Sequence, residues 1–267
     1  MESVFIEFLK AAVLAIIEGI TEWLPISSTG HMILAQEFIH LNMSAQYKEM
    51  FFVVVQLGAI LAVAVLFFAR LNPFSIIDKK ISIKKETLTL WFKIIAACLP
   101  AAICGLLWDD KFNELFYNYQ TVAIMLILVG IAFIVVESFV KDENAKIKNV
   151  YQITYKIAFI IGLFQLVSAI FPGTSRSGAT IIGALIFGVC RTAATEFTFF
   201  LAVPVMFGAS ALKLFKFGLN FTGVELSMLL FSMACAFIIS ALTMNFLLSY
   251  VKKHDFKFFG YYRIVLG

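Results

Sequence analysis

Five apolar runs, at residues 50–69, 90–108, 121–137, 197–217 and 226–251, restrict what this chain can fold into. Each approaches the ~20 residues that a helix needs to cross the hydrocarbon of a bilayer. No water is available there to bond a bare N–H or C=O, so the backbone must satisfy itself as helix. Composition agrees: 61% of the 267 residues are hydrophobic and only 14% charged, against about 25% charged in soluble domains. A soluble enzyme, a disordered tail and a disulfide scaffold are excluded. The expected class is an all-α polytopic membrane protein, with residues 1–267 forming one integral membrane domain. A further apolar stretch, 258–267, covers only about 15 Å as helix. It is either incomplete as given or ends within the membrane.

Net charge is +4, from 21 basic and 17 acidic residues. That excess is too small to argue for nucleic acid, and the lysines cluster beside apolar spans, where they anchor to an inner leaflet. Cys98, Cys104, Cys190 and Cys235 all lie in apolar runs, form no C-x-x-C pair and have no His at metal-ligand spacing. They read as buried free thiols. The chain opens Met1-Glu2, carries Glu7 and lacks a small-residue cleavage site, so its first segment is expected to remain in the mature protein.

Two further apolar regions, 4–39 and 157–190, are interrupted by Pro, Gly, Ser and Thr. Interrupted helices at membrane depth are tolerated where they are buried in protein or line a wet cavity. Both regions are therefore expected to be re-entrant helix pairs. Arg70, Lys79, Lys80, Lys84, Lys85 and Lys93 mark one basic loop. Lys141, Lys146, Lys148 and Lys156 mark a second, and Lys252, Lys253 and Lys257 a third. Basic loops stay in the cytoplasm, whereas the connection around Asp109, Asp110, Lys111 and Glu114 is expected outside. The first pair must then enter from outside and the second from the cytoplasm. Each half, 1–145 and 146–267, becomes one re-entrant pair plus three transmembrane helices in opposite orientation. That is an inverted-topology repeat, whose site is expected near the midplane where the breaks meet. Gly19-Ile20-Thr21-Glu22 echoes Gly162-Leu163-Phe164-Gln165, and Pro25 with Ser27-Ser28-Thr29-Gly30 echoes Pro172 with Ser175-Arg176-Ser177-Gly178.

The breaks carry the chemistry. Glu18 and Glu22 stand four apart, so a helix puts both carboxylates on one face. A charged side chain costs ~2.5–3.5 kcal/mol within a bilayer on insertion scales. A divalent cation, Mg²⁺ or Ca²⁺, would offset both charges, with substrate phosphate oxygens completing its shell. The bland alternative leaves both carboxylates in wet headgroups. In the first break a helix after Pro25 would aim the N–H groups around Ser27, Ser28, Thr29 and Gly30 at an anion. Ser28 has the chemistry of a nucleophile and His31 that of its base or of the leaving-group acid. Here the alternative is hydroxyls that merely bond backbone carbonyls. In the second break Arg176 matches phosphate oxygens bidentately, with Ser175, Ser177 and Thr180 beside it. Its alternative role, a pair with Glu18 or Glu22, is compatible with anion binding. Gln56, in an apolar span, either lines the cavity or bonds a neighbouring helix. Glu137 is expected to reach water, and Arg191 and Glu196 to sit at the cytoplasmic interface.

The run Glu18-Gly19-Ile20-Thr21-Glu22-Trp23-Leu24-Pro25-Ile26-Ser27-Ser28-Thr29-Gly30-His31, followed by Pro172-Gly173-Thr174-Ser175-Arg176-Ser177-Gly178-Ala179-Thr180, resembles the bacterial undecaprenyl-diphosphate phosphatase family associated with bacitracin resistance. The resemblance covers nearly the whole chain. It implies a bacterial inner-membrane enzyme that converts undecaprenyl diphosphate to undecaprenyl phosphate, the lipid carrier for peptidoglycan, with a divalent cation and a site toward the periplasm. The matching positions are Glu18, Glu22, Ser28, His31, Ser175, Arg176 and Thr180, while Gln165, being neutral, is a poor match to a metal ligand. The implied partners are a polyprenyl diphosphate and the bilayer, and a homodimer is left open. Three nucleophiles remain open: Ser28, His31 and a water activated by the cation. The rival class is a secondary transporter or lipid-phosphate flippase built on the same repeat. The feature against it is a hydroxyl beside an imidazole, since a carrier needs ligands and no nucleophile.

Overall fold

The computed structural model describes residues 4–77, 80–218 and 220–267; Met1, Glu2 and Lys79, used above, lie outside them. Twelve α-helices make up most of the described chain. The first break separates α1 (Val4–Thr21) from α2 (Ser28–Phe38). Next come α3 (Ala45–Val54) and α4 (Gln56–Leu66), offset at Val55, and the short α5 (Phe68–Leu71). The long α6 (Lys85–Phe116) and α7 (Tyr119–Phe139) follow. Beyond a connection with two 3₁₀ turns, the second break separates α8 (Tyr155–Ile170) from α9 (Arg176–Ile186). The chain closes with α10 (Arg191–Phe217), α11 (Gly223–Val251) and α12 (Lys257–Leu266).

Five stretches are long and apolar enough to cross a membrane: Ala45–Leu66, Lys85–Trp108, Tyr119–Phe139, Arg191–Phe217 and Gly223–Val251. They coincide with the five runs read from sequence, but all five begin earlier, three of them for one reason. The reason is capping: Ser44, Asn118 and Thr222 accept the first free N–H groups of α3, α7 and α11, so these helices start before their apolar stretch. Three expectations need correction. The connection placed around residues 109–114 is helical, a continuation of α6. The basic loop after Arg70 contains a hairpin of β1 (Phe74–Ile77) and β2 (Lys80–Ile83), with Phe74 opposite Ile83 and Ser75 opposite Ser82; alternating Ile and polar residues fit a ribbon there. Glu137 is buried and does not reach water, because Arg191 binds both its oxygens, at 3.0 and 2.6 Å, and the Phe256 N–H donates to it.

The core lies between the helices and is dominated by Trp23, Phe133, Phe197, Phe199, Phe200 and Phe256. The outer surface is also apolar: Leu106, Phe139 and Phe215 are 78, 83 and 87% exposed. Such a surface is a liability in water and the expected covering against lipid tails. Close backbone approach holds the helices together. A Cβ on Gly58 would fall 2.1 Å from the Met233 carbonyl oxygen of α11, and one on Gly162 would fall 2.3 Å from that of Ala97 in α6. Small residues at such crossings let helices associate where no hydrophobic force acts between them.

Candidate functional site

Each break turns the chain in the same way. Ser27 and Ser175 both take a positive φ, 74° and 70°, and they are the only described non-Gly residues to do so. That region is disfavoured for residues with a Cβ. It costs of order 1–3 kcal/mol and persists only where the surroundings hold it. Each serine then caps its helix: Ser27 accepts from the Gly30 N–H at 3.3 Å and Ser175 from the Gly178 N–H at 3.1 Å. The next residue, Ser28 or Arg176, opens the helix and faces a cavity of about 210 Å³.

Glu22, Ser28, Thr29, Gln56, Ser168, Ser175, Arg176 and Ser177 supply the polar lining of that cavity. At its centre the two breaks join. Arg176 Nη2 donates to Glu22 Oε1 at 2.9 Å, and Ser28 Oγ donates to Glu22 Oε2 at 2.7 Å. Arg176 Nη1 donates to the Thr198 carbonyl at 2.9 Å, and the guanidinium lies 5.9 Å from the Trp23 ring centroid. Its Nε is buried without a partner, so the group retains a donor. Glu18 is 2% exposed. Its Oε1 has no hydrogen-bond partner, and its carboxyl lies beside Gln56 and Glu22. The Glu22 carboxyl and the guanidinium thus meet at the cavity wall, with the buried Glu18 carboxyl behind Glu22 and Gln56, where charges are screened less than in water.

Five residues expected at the site line this cavity together with Glu22: Ser28, Thr29, Ser175, Arg176 and Ser177. Glu18, Ser27, Gly30, His31 and Thr180 are not among its lining residues. Ser27 and Gly30 are buried in the cap itself. Thr180 is fully buried, and its hydroxyl is spent on the Arg176 carbonyl at 2.8 Å and Thr198 Oγ1 at 2.9 Å. Ser177 Oγ reaches the carbonyls of Glu22 and Leu24 at 3.3 Å, tying one break to the other. No described hydrogen bond joins His31 to Ser28. The imidazole instead contacts the Ser27 carbonyl at 2.8 Å through Nδ1 and the Tyr262 hydroxyl at 2.7 Å through Nε2.

The short last helix was read from sequence, but the part that α12 plays at the breaks was missed. Arg263 is fully buried, and its guanidinium donates to the carbonyls of Pro25 at 3.1 Å, Gly173 at 2.8 Å and Thr174 at 2.9 Å. It also reaches Leu126 and Met125 in α7 at 3.4 Å. One cation therefore satisfies carbonyls of both breaks, which lose their helical partners where the helices stop. The available signal was an Arg in an apolar stretch, at the end of a helix too short to span.

The two carboxyls suit a divalent cation. An orphaned buried carboxyl oxygen is expensive unless protonated or bound to a cation. Glu22 offers about four acceptor positions, of which two are used. Among the described residues no cluster of three or more His, Cys, Asp or Glu surrounds the cavity, so a cation held here would leave positions for phosphate oxygens.

The chain matches the family model described as Bacitracin resistance protein BacA over residues 11–267. It is 64% identical to the undecaprenyl-diphosphatase of Desulfitobacterium hafniense, a match covering 98% of this chain and 94% of the relative. It is 60% identical to the undecaprenyl-diphosphatase of Enterococcus faecalis and 58% identical to undecaprenyl-diphosphatase 1 of Clostridium acetobutylicum; each match covers 98% of this chain and 95% of the relative.

Proposed function

Because the chain belongs to the bacitracin resistance protein BacA family, we propose that its membrane cavity hydrolyses undecaprenyl diphosphate to undecaprenyl phosphate and inorganic phosphate. This reaction returns the lipid carrier to wall synthesis and opposes bacitracin. The observation that carries the reading is the chain Arg176–Glu22–Ser28, which sets a guanidinium, a carboxylate and a hydroxyl side by side across the two breaks.

Phosphoryl transfer is catalysed mainly by positioning and by neutralising charge on the transferred group. Arg176, with its spare Nε–H, grips the terminal phosphate and holds it over Ser28. Glu22 orients the Ser28 hydroxyl and takes its proton as Oγ bonds to the terminal phosphorus. The bond to the bridging oxygen breaks, and undecaprenyl phosphate leaves with both electrons of that bond. Water then attacks the phosphoserine and releases phosphate. His31 exchanges the remaining protons. Glu18 and Glu22 would hold Mg²⁺ or Ca²⁺. When bound, the cation neutralises phosphate charge.

The inverted repeat, with halves 1–145 and 146–267, is part of the proposal. It is supported by matched packing: α1 packs on α11 as α8 packs on α6, and α4 packs on α11 as α10 packs on α6. Gly130 of α7 and Gly260 of α12 face each other reciprocally, each within 2.7 Å of the other's carbonyl oxygen when a Cβ is built, as expected near a two-fold axis. A bacterial inner membrane with the cavity toward the periplasm is also part of the proposal; the basic loops support cytoplasmic connections, and the family resemblance supports the outward-facing cavity.

The test is phosphate release from a polyprenyl diphosphate by purified protein in detergent, with Mg²⁺, Ca²⁺ or EDTA, beside Glu22→Ala and Arg176→Ala. Release that needs the cation and is lost in both variants is the expected result. No release by folded wild-type protein would shift the assignment to a lipid-phosphate carrier.

A further inference from the structure

His31 has two ring nitrogens and both are engaged, which determines what the ring can do. A carbonyl oxygen only accepts, so the 2.8 Å contact with the Ser27 carbonyl requires a proton on Nδ1. In the neutral ring Nε2 is then the basic atom, and the Tyr262 hydroxyl, 2.7 Å away, donates to it. The two rings lie parallel, with an interplanar angle of 1°. Among the described titratable groups, those facing His31 are Tyr262 and Arg263, both of α12.

Tyr262 is not free to drift from this place. Arg263, the next residue, is fixed by carbonyls of both breaks and of α7, and Gly260 seats α12 directly against α7. The register of α12 is therefore set by the same turns that shape the cavity. The residue before Arg263 must present its side chain to the end of α2, where His31 sits.

We infer that Tyr262 is a positioning residue: the Ser27 carbonyl sets the Nδ1–H tautomer of His31, and the Tyr262 hydroxyl holds the ring with Nε2 as its single proton-exchanging atom. The inference rests on the reading of His31 as a proton-handling group in phosphate release. The Ser27 carbonyl aims one side of the ring and the Tyr262 hydroxyl the other, so the imidazole needs no reorientation when its proton is required.

The deciding experiment is ¹⁵N NMR of the full chain in detergent, labelled at histidine, with His31→Gln assigning one of the three histidines. Wild-type His31 should show the Nδ1–H tautomer with Nε2 accepting a hydrogen bond, and Tyr262→Phe, which keeps the ring and removes the hydroxyl, should shift the Nε2 resonance to that of an unbonded acceptor. Tyr262→Phe should also lower kcat by on the order of 10- to 100-fold, a part of what acid–base groups contribute, with KM nearly unchanged. An Nε2–H ring in the wild type would overturn the inference, as would an Nε2 resonance indifferent to Tyr262→Phe. If Tyr262→Phe failed to elute as a folded species, the wild-type Nε2 shift alone would decide, an unbonded acceptor overturning the inference. An Nε2 resonance that shifts without any loss of kcat would leave Tyr262 as the positioning group and remove His31 from the reaction.

Discussion

Arg176 carries two obligations at once, to Glu22 and to the Thr198 carbonyl, from one planar group. A lysine has a single point of charge and cannot keep both geometries. Arg176→Lys should therefore lose most phosphate release even though net charge is kept, which a turnover assay beside wild type would read. Arg176→Ala should in addition lower thermal stability, since removing one partner of a buried ion pair costs about 3–5 kcal/mol. Arg263 makes a different prediction. It has no described carboxylate partner, and its donors go to carbonyls of both breaks. Arg263→Met fits the volume but orphans those carbonyls, at about 1–3 kcal/mol each. The melting temperature should fall and the cavity should lose its shape, seen as lost turnover that added cation does not restore. Arg176 was legible in the sequence because it sits inside a Pro-Gly-Thr-Ser run. Arg263 was not, because what it binds is backbone, and carbonyls at a helix stop carry no side-chain signature.

At the level of elements, the two turns are the critical pieces. Ser27 and Ser175 combine a strained φ with a needed cap, and two substitutions separate these roles. Ser27→Gly relieves the backbone and loses the side-chain oxygen. Ser27→Ala keeps the strain and loses the cap as well. The alanine variant should be the less stable by about 1 kcal/mol, measured by thermal melting in one detergent. Helix crossings respond to size instead. Gly162→Ala would push a methyl group into the Ala97 carbonyl, and overpacking of this kind costs about 1–3 kcal/mol. The elements themselves were largely readable: the spans from run length, the breaks from Pro, Gly and hydroxyl residues. The β1–β2 hairpin was hidden because its eight residues lie inside what charge alone marks as a basic loop. The extension of α6 to Phe116 was hidden because charged residues there resemble a loop, while helix continues past the apolar stretch at no cost in an aqueous interface. His31 was placed beside Ser28 by sequence proximity. Three residues of helix turn it away toward α12, and only the packing of distant segments decides that.

For the whole molecule, orientation is the property that charge foretells. In a chain whose four cysteines are replaced by alanine, Lys111→Cys should react with a membrane-impermeant maleimide in intact cells, and Lys146→Cys only after permeabilisation. The reverse pattern would turn the protein over in the membrane. Cys190, in the connection before α10, has its thiol pushed upward by burial; raised above its usual value, it stays protonated at neutral pH, and native Cys190 should alkylate slowly there and faster as pH rises. The size of the cavity has a consequence for kinetics. At about 210 Å³ it falls below the 300–1,000 Å³ typical of sites that engulf a drug-sized ligand. It has room for a diphosphate and none for a long isoprenoid, which must stay among the acyl chains. The enzyme then meets its substrate in two dimensions, and the quantity that saturates it is mole fraction in the lipid phase and not molarity. Adding inert detergent at constant enzyme and constant substrate should slow turnover by surface dilution, and prenyl chains of different length should be cleaved alike once each is fully partitioned.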